Sequence, residues 1–313
     1  RPQGHDIIRT WLFATITRSH HEHGVAPWSH AALSGWILDP DRKKMSKSKG
    51  NVVTPMDLFD QYGTDAVRYW SASGRPGVDT AYSEDQMKVG RKLANKLLNV
   101  TKFVLTFPEA DASIPLADAV TDPVDLSMLA KLDEVIAEAT AGFEAFDYAR
   151  ALDRTESFFW WFCDNYVELV KGRAYNSRGP EAANSALRAL REALGSVQRL
   201  FAPMIPFATE EAWSWWNTNS VHAASWPVPS ALTGDATLID PIIDTLAHVR
   251  RAKTEAKQSQ KAAVESLVVT APAALHAAVI AGDGDLRDAG SIATVSLVEG
   301  DGFSCAITLA PTD

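Results

Sequence analysis

The residues best suited to chemistry form one run, Lys43-Lys44-Met45-Ser46-Lys47-Ser48-Lys49-Gly50-Asn51. Four lysines fall in seven positions, interleaved with two serines. Ammonium and hydroxyl groups at this density suit the oxygens of a phosphate. Gly50 and Asn51 allow a sharp backbone turn, and Met45 offers an apolar anchor while the lysines face outward. Charge alone reads as a solvated surface loop, because most charge runs are only that. The elements around the run must decide.

Upstream, Arg1 to Ile8 reads as the end of a strand and a turn at Gly4. Ile8, Trp11, Leu12, Thr15 and Ile16 recur at helical spacing, which predicts an amphipathic helix from residue 6 to about 20, with Asp6 as N-cap. Gly4-His5-Asp6 then stands at a strand-to-helix junction, where parallel α/β sheets bind ligands. Ala31 to Asp39 reads as one short buried strand. Gly35 within it suggests close approach of another backbone or a ligand. Downstream, Thr54-Pro55 starts a helix that Gly63 ends, and Thr64 caps another running to about Ser71. Strand, helix, strand, basic loop and helices make half of an α/β nucleotide fold.

Beyond this half the periodicity is helical. A long helix is expected over 83–107, a Pro/Asp/Ala-rich linker over 108–123, and helices over about 125–142, 146–175, 181–201 and 203–216. Phe158 to Phe162 is apolar on every side, so that helix is central. A connector covers 217–241, followed by a basic helix from Asp240 to Lys261 carrying Arg250, Arg251, Lys253, Lys257 and Lys261. That face suits either solvent or RNA phosphates. The tail reads as a strand at 266–270, a helix at 273–281, and strands at 292–297 and 303–309. The expected fold class is α/β followed by all-α. The boundaries are 1–107 for the C-terminal part of a Rossmann-type nucleotide-binding domain, 124–218 for a helical bundle, and 240–313 for the basic helix with a small α+β tail.

Composition narrows the partners. The net charge of −9 does not suit a general nucleic-acid coat, so any RNA contact must come from local basic patches. Cys163 and Cys305 are isolated and fit a reducing compartment. His20, His21, His23 and His30 match no standard metal spacing, so no metal site is expected. No apolar run reaches membrane-spanning length, and no signal peptide is read. The chain opens on Arg1 without Met and directly into a motif, which suggests the later part of a longer, cytoplasmic, monomeric protein.

With its context, Lys44-Met45-Ser46-Lys47-Ser48 is identical to the second signature of the class I aminoacyl-tRNA synthetases, and Lys49-Gly50-Asn51 continues it as in the branched-chain members. Arg1 to Trp11 resembles the Gly-x-Asp segment that precedes it there. Residues 51–58 and 62–69 resemble the helices that follow, and residues 90–99 the helix into the anticodon-binding domain. Residues 162–169, 201–213 and 220–227 are similar to that domain in the valine-specific branch. Two isolated cysteines argue against the cysteine-ligated zinc of the isoleucine branch, which is the nearest alternative. A non-catalytic tRNA-binding module is the alternative from another class.

The resemblance implies ATP-dependent activation of valine and transfer to tRNA(Val). In the first step a carboxylate attacks the α-phosphate, pyrophosphate leaves, and charge builds on the phosphates. Cations aimed there act mainly on the transition state. By the same resemblance, Lys47, assisted by Lys44, contacts phosphate, and Mg2+ arrives with ATP. Met45, Ser46 and Ser48 shape the nucleotide loop. Gly4 and Asp6 lie near the ribose and aminoacyl part of the adenylate, Gly35 to Ile37 near the adenine, and Trp11 in the valine pocket. Lys171, Arg173, Arg178, Arg250 and Arg251 are expected to meet tRNA. The family's His-x-Gly-His signature and its editing domain do not occur between Arg1 and Asp313, so the chain alone is expected not to aminoacylate.

Overall fold

A computed structural model describes residues 2–311; Arg1, where the first expected strand begins, lies outside the described residues. In chain order the α-helices are α1 (Phe13–His23), α2 (Pro55–Tyr62), α3 (Thr64–Ala72), α4 (Glu84–Val104), α5 (Leu116–Ala119), α6 (Pro123–Glu144), α7 (Tyr148–Trp161), α8 (Val167–Ala174), α9 (Pro180–Phe201), α10 (Pro206–Ser214), α11 (Asp240–Glu255), α12 (Ala273–Ala281) and α13 (Asp283–Gly290). The strands are β1 (Pro2–Gly4), β2 (Ala32–Ser34), β3 (Ile37–Leu38), β4 (Thr80–Ala81), β5 (Val264–Ala271), β6 (Ile292–Glu299) and β7 (Ser304–Leu309). Two compact units share them. The first holds Arg1–Asn99, Ala137–Glu156 and Gln198–Trp226; the second holds Val100–Ile136, Ser157–Val197 and Pro227–Asp313.

In the first unit, β1 pairs parallel with β2, and β3 parallel with β4. The expected single strand over 31–39 is thus two, broken at Gly35-Trp36, and it is half-exposed rather than buried. The break has a steric cause. A Cβ on Gly35 would collide with the Val78 carbonyl oxygen. Trp36 N donates to Asp79 Oδ1 at 2.7 Å. The segment therefore leaves β1 and takes up β4 where another backbone touches it, the close approach that Gly35 predicts.

The helix after β1 also differs from its expectation. It opens as a 3₁₀ turn (His5–Ile7) and a π turn (Ile8–Leu12) before α1. Asp6 is not its cap; no side chain caps this turn. Of its apolar positions only Leu12 is buried, and Phe13 is 65% exposed. Gly63, at φ 89°, ends α2 and stands at the N-cap of α3, so Thr64 is the first helical residue and not the cap. Leu58, Tyr62, Ala66, Val67, Trp70 and Met87 pack one core beneath α2 and α3. The buried Asp65 carboxylate accepts the amides of Phe207 (3.2 Å) and Ala208 (2.6 Å), tying α3 to the first turn of α10.

In the second unit the aromatic run is buried at Phe158, Phe159 and Phe162, while Trp160 and Trp161 are half-exposed, so that helix is not enclosed on every side. Phe159, Phe162 and Tyr166 have no exposed surface. The helix expected over 146–175 is interrupted by a π turn at Phe162–Tyr166, between α7 and α8. The expected linker contains α5. In the tail, β5 is the central strand of the order β6-β5-β7, parallel to β6 and antiparallel to β7. Two helices, α12 and α13, connect β5 to β6; a parallel pair needs such a crossover. Helix α13 falls between the expected elements; its Gly284 and Gly290 are poor helix formers. The basic helix stops at Glu255 rather than Lys261.

Candidate active site and basic residues

The lysine loop is built on one carboxylate. Asp39 is 6% exposed and sits at the end of β3. Its Oδ1 accepts the Lys43 amide at 2.7 Å, and its own amide donates to the Lys43 carbonyl at 2.9 Å. Its Oδ2 accepts Asn51 Nδ2 at 2.7 Å. Asn51 completes the clasp: Oδ1 accepts the Ser46 amide at 2.9 Å, and Nδ2 reaches the Lys44 carbonyl at 3.3 Å. The Lys43 amide, then the Asn51 amide group, holds the Asp39 carboxyl below its usual range. The loop's entrance and exit are thereby fastened to the same residue.

Between these ends, Lys47–Lys49 form a 3₁₀ turn that Gly50 terminates at φ 67°, a left-handed conformation suited to glycine. Lys47 is exposed, while Met45 and Ser46 are half-buried, as an anchored loop requires. Ser46 Oγ and Ser48 Oγ stand 3.2 Å apart. Lys44 has two neighbours. Its Nζ lies 3.6 Å from Asp6 Oδ2 and 3.8 Å from the centre of the Trp36 ring. The His5 ring lies 4.4 Å from the Trp36 ring, and His5 Nδ1 lies 3.2 Å from the Ser34 carbonyl oxygen.

The fold therefore gathers Gly4, Asp6, Gly35 and the Lys44–Ser48 loop. Gly4 pairs with Ser34 in the β1–β2 register, and Leu38 bridges Lys44. A Cβ on Gly4 would lie 2.8 Å from Asp6 Oδ1; with ψ 145° this glycine makes room for a carboxylate and is not the tight turn expected. Ile37 follows in β3 and is exposed. Trp11 stacks on Trp28, rings 6.0 Å apart and 7° from parallel, and keeps 40% of its surface exposed. Sequence reasoning missed Asp39 as the clasp and Trp36 as the partner of Lys44. The available signal was an aspartate at a strand end before Pro40, a residue type that captures nearby backbone amides in turns.

The expected tRNA contacts divide by burial. Arg173 cannot serve as one. Its side chain is 0% exposed, and its guanidinium donates to Asp125 at 2.6 and 2.7 Å and to Asp285 at 3.1 and 2.9 Å. Asp122 lies at 3.1 Å. Tyr166 and Ser185 hydroxyls also donate to Asp125. Burial of a guanidinium is tolerated only with such pairing, and here the pairing consumes its donors. Arg178 pairs with Asp285 as well. Burial raises the Asp285 carboxyl to about 6 despite both arginines. Lys171 is partly exposed and pairs with Glu168 at 2.6 Å. Arg250 donates to the Asp164 carbonyl at 2.9 Å, and Arg251 is exposed. Lys253, part of the expected basic face, is instead 1% exposed and donates to the Gln260 (3.0 Å) and Gly290 (2.7 Å) carbonyls.

Comparison with known proteins extends this geometry. Residues 2–83 match the family described as "tRNA synthetases class I (I, L, M and V)", and residues 125–268 match "Anticodon-binding domain of tRNA ligase". The chain is 54% identical to a valine–tRNA ligase of Salinispora arenicola over 96% of its own length, and 54% identical to that of Thermobifida fusca over 94%. Residues 2–83 are thus similar to the class I tRNA synthetases, and residues 125–268 to the anticodon-binding domain of tRNA ligases. To the valine–tRNA ligase of Leifsonia xyli subsp. xyli it is 52% identical over its whole length. It spans 34–37% of the length of these relatives. Among solved structures, it superposes with TM-score 0.55 and 19% identity on the crystal structure of an Agrobacterium radiobacter K84 LeuRS in a ternary complex with tRNA and LeuAMS, covering 86% of this chain and 30% of that one. That likeness concerns the fold. The chain thus combines part of a class I catalytic domain with an anticodon-binding domain, helix-rich with small sheets. Among the described residues, no helix is long and apolar enough to cross a membrane.

Proposed function

We propose that this chain is the lysine-loop and anticodon-binding portion of a valine–tRNA ligase. The observation that carries the reading is the clasped loop, with Lys47 exposed on a turn inside it and Asp39 holding Lys43 and Asn51 at the loop's two ends. The loop presents a cation and two hydroxyls, the groups a phosphate oxygen selects, and hydrogen bonds to Asp39 and Asn51 hold its backbone. Preorganised cations act on charge as it develops, which is where the α-phosphate reaction needs them. Mg2+ would come with the nucleotide, since both Asp39 oxygens are engaged in holding the loop. Lys44 and Lys47 would act on ATP, and Asp6, Gly4, Gly35 and Ile37 would line the adenylate.

Valine specificity rests on identity to valine–tRNA ligases of 52–54% over nearly the whole chain. For tRNA(Val), the exposed Arg251 and the partly exposed Lys171, Arg178 and Arg250 remain the candidate phosphate contacts. Catalysis would need the remaining length that the relatives carry, and the protein would work as a cytoplasmic monomer. Valine-dependent pyrophosphate exchange tests the reading. The intact protein that carries this chain should exchange with valine, and the 313-residue chain alone should not. Exchange driven by isoleucine in preference to valine would reassign the substrate, and tRNA binding without exchange by the intact protein would leave only a binding module.

A further inference from the structure

We infer that Trp36 is a positioning residue for Lys44, its indole face forming with Asp6 a two-sided seat for the ammonium group. This rests on the reading that the lysine loop acts on a nucleotide. The seat is visible in two distances. Lys44 Nζ stands 3.8 Å over the indole and 3.6 Å from the Asp6 carboxylate. Both Lys44 and Asp6 are about half-exposed, so the ion pair by itself is weakly held in water. A ring face adds an attraction that does not compete for the hydrogen bonds of the carboxylate, and tryptophan has the strongest such face.

The indole is fixed from several directions. The Trp36 amide is held by Asp79, the neighbouring Gly35 abuts the Val78 backbone, and the His5 ring lies against the indole. Its Nε1 is buried and has no hydrogen-bond partner. A buried unpaired donor is unfavourable, and phenylalanine would avoid it. The indole therefore serves its surroundings through its face, over which Lys44 Nζ stands, and not through its N–H. The consequence concerns substrate entry. A nucleotide whose ribose engages Asp6 takes one side of the seat. The other side keeps Lys44 beside the phosphate path, with its side-chain freedom already reduced.

The test uses the intact protein with its lysines reductively dimethylated with 13C, which retains their charge. The Lys44 methyl resonance, identified by its loss in Lys44→Arg, should lie upfield of the other lysines because it sits in the indole ring current. Trp36→Leu should return it to the common position, and Trp36→Phe should restore a smaller displacement. A Lys44 resonance at the common position in the unmutated protein overturns the seat. Valine-dependent exchange then separates positioning from folding. Trp36→Leu should lower kcat about two- to five-fold with KM for valine unchanged, and should have no further effect in a Lys44→Met background. An equal loss in both backgrounds makes Trp36 merely structural and overturns the proposal. An upfield Lys44 in a protein without exchange overturns the assigned activity and leaves the seat standing.

Discussion

The lysine loop and the Arg173 cluster use the same chemistry in opposite ways. In the loop, one buried carboxylate grips the Lys43 amide and an asparagine, and Lys47 stays in solvent. In the cluster, the cation itself is buried, and Asp122, Asp125 and Asp285 surround it. The first arrangement leaves charge available to a ligand. The second consumes it to hold α8, the start of α6 and α13 of the tail together. A basic residue is thus a candidate for phosphate only once its own carboxylates are accounted for.

The sharpest way to break this contrast is to remove each cation. Arg173→Met leaves three carboxylates in the interior and should destabilise the second unit by about 3–5 kcal/mol, read by denaturant unfolding. Lys47→Ala should leave the unfolding midpoint unchanged and lower kcat for valine-dependent exchange by about 10²–10³-fold. If the midpoint falls with Lys47→Ala, the loop is structural and the contrast fails.

A smaller effect comes from pH. The Asp285 carboxyl titrates at about 6 in the folded chain, above its ordinary value of 3.8, because burial opposes its charge. The folded state therefore binds that proton first. The contribution of this one group to stability should rise as the pH falls from 7 towards 4, so the thermal midpoint of Asp285→Asn minus that of the unmutated protein should fall over the same range. Asn51→Ala removes one side of the clasp and should raise KM for ATP a few-fold, equivalent to about 1 kcal/mol. The smallest effect is expected at Arg251, where substitution by alanine should reduce the salt slope of tRNA binding by about one phosphate contact or less. Arg173→Lys, by contrast, should act on stability and leave that slope unchanged.

These comparisons also mark what the sequence could reveal. The loop, its flanking helices and the bundle were legible, because hydrophobic periodicity and turn residues act locally. Gly35 was legible for the same reason: only a missing side chain permits Val78 to lie so close. The two-part strand, the uncapped 3₁₀ and π entry to α1, and the role of Asp39 depend on which partner arrives from elsewhere in the chain. Arg173 misled because its sequence neighbours, Lys171 and Arg178, are basic, while the carboxylates that neutralise it stand about 50 residues before and 110 residues after it. Lys253 misled likewise, since helical spacing alone does not say which face meets the tail.

The clasp at Asp39 has a kinetic meaning. Because both ends of the loop are fastened to one side chain, the residues from 39 to 51 form a closed ring and not an open tether. A ring this small has few shapes to sample, since most of its closure entropy is spent before a ligand arrives. If the loop meets a nucleotide, Lys47 is expected to reach it by movement of the whole ring and not by a search through the conformations of a free chain.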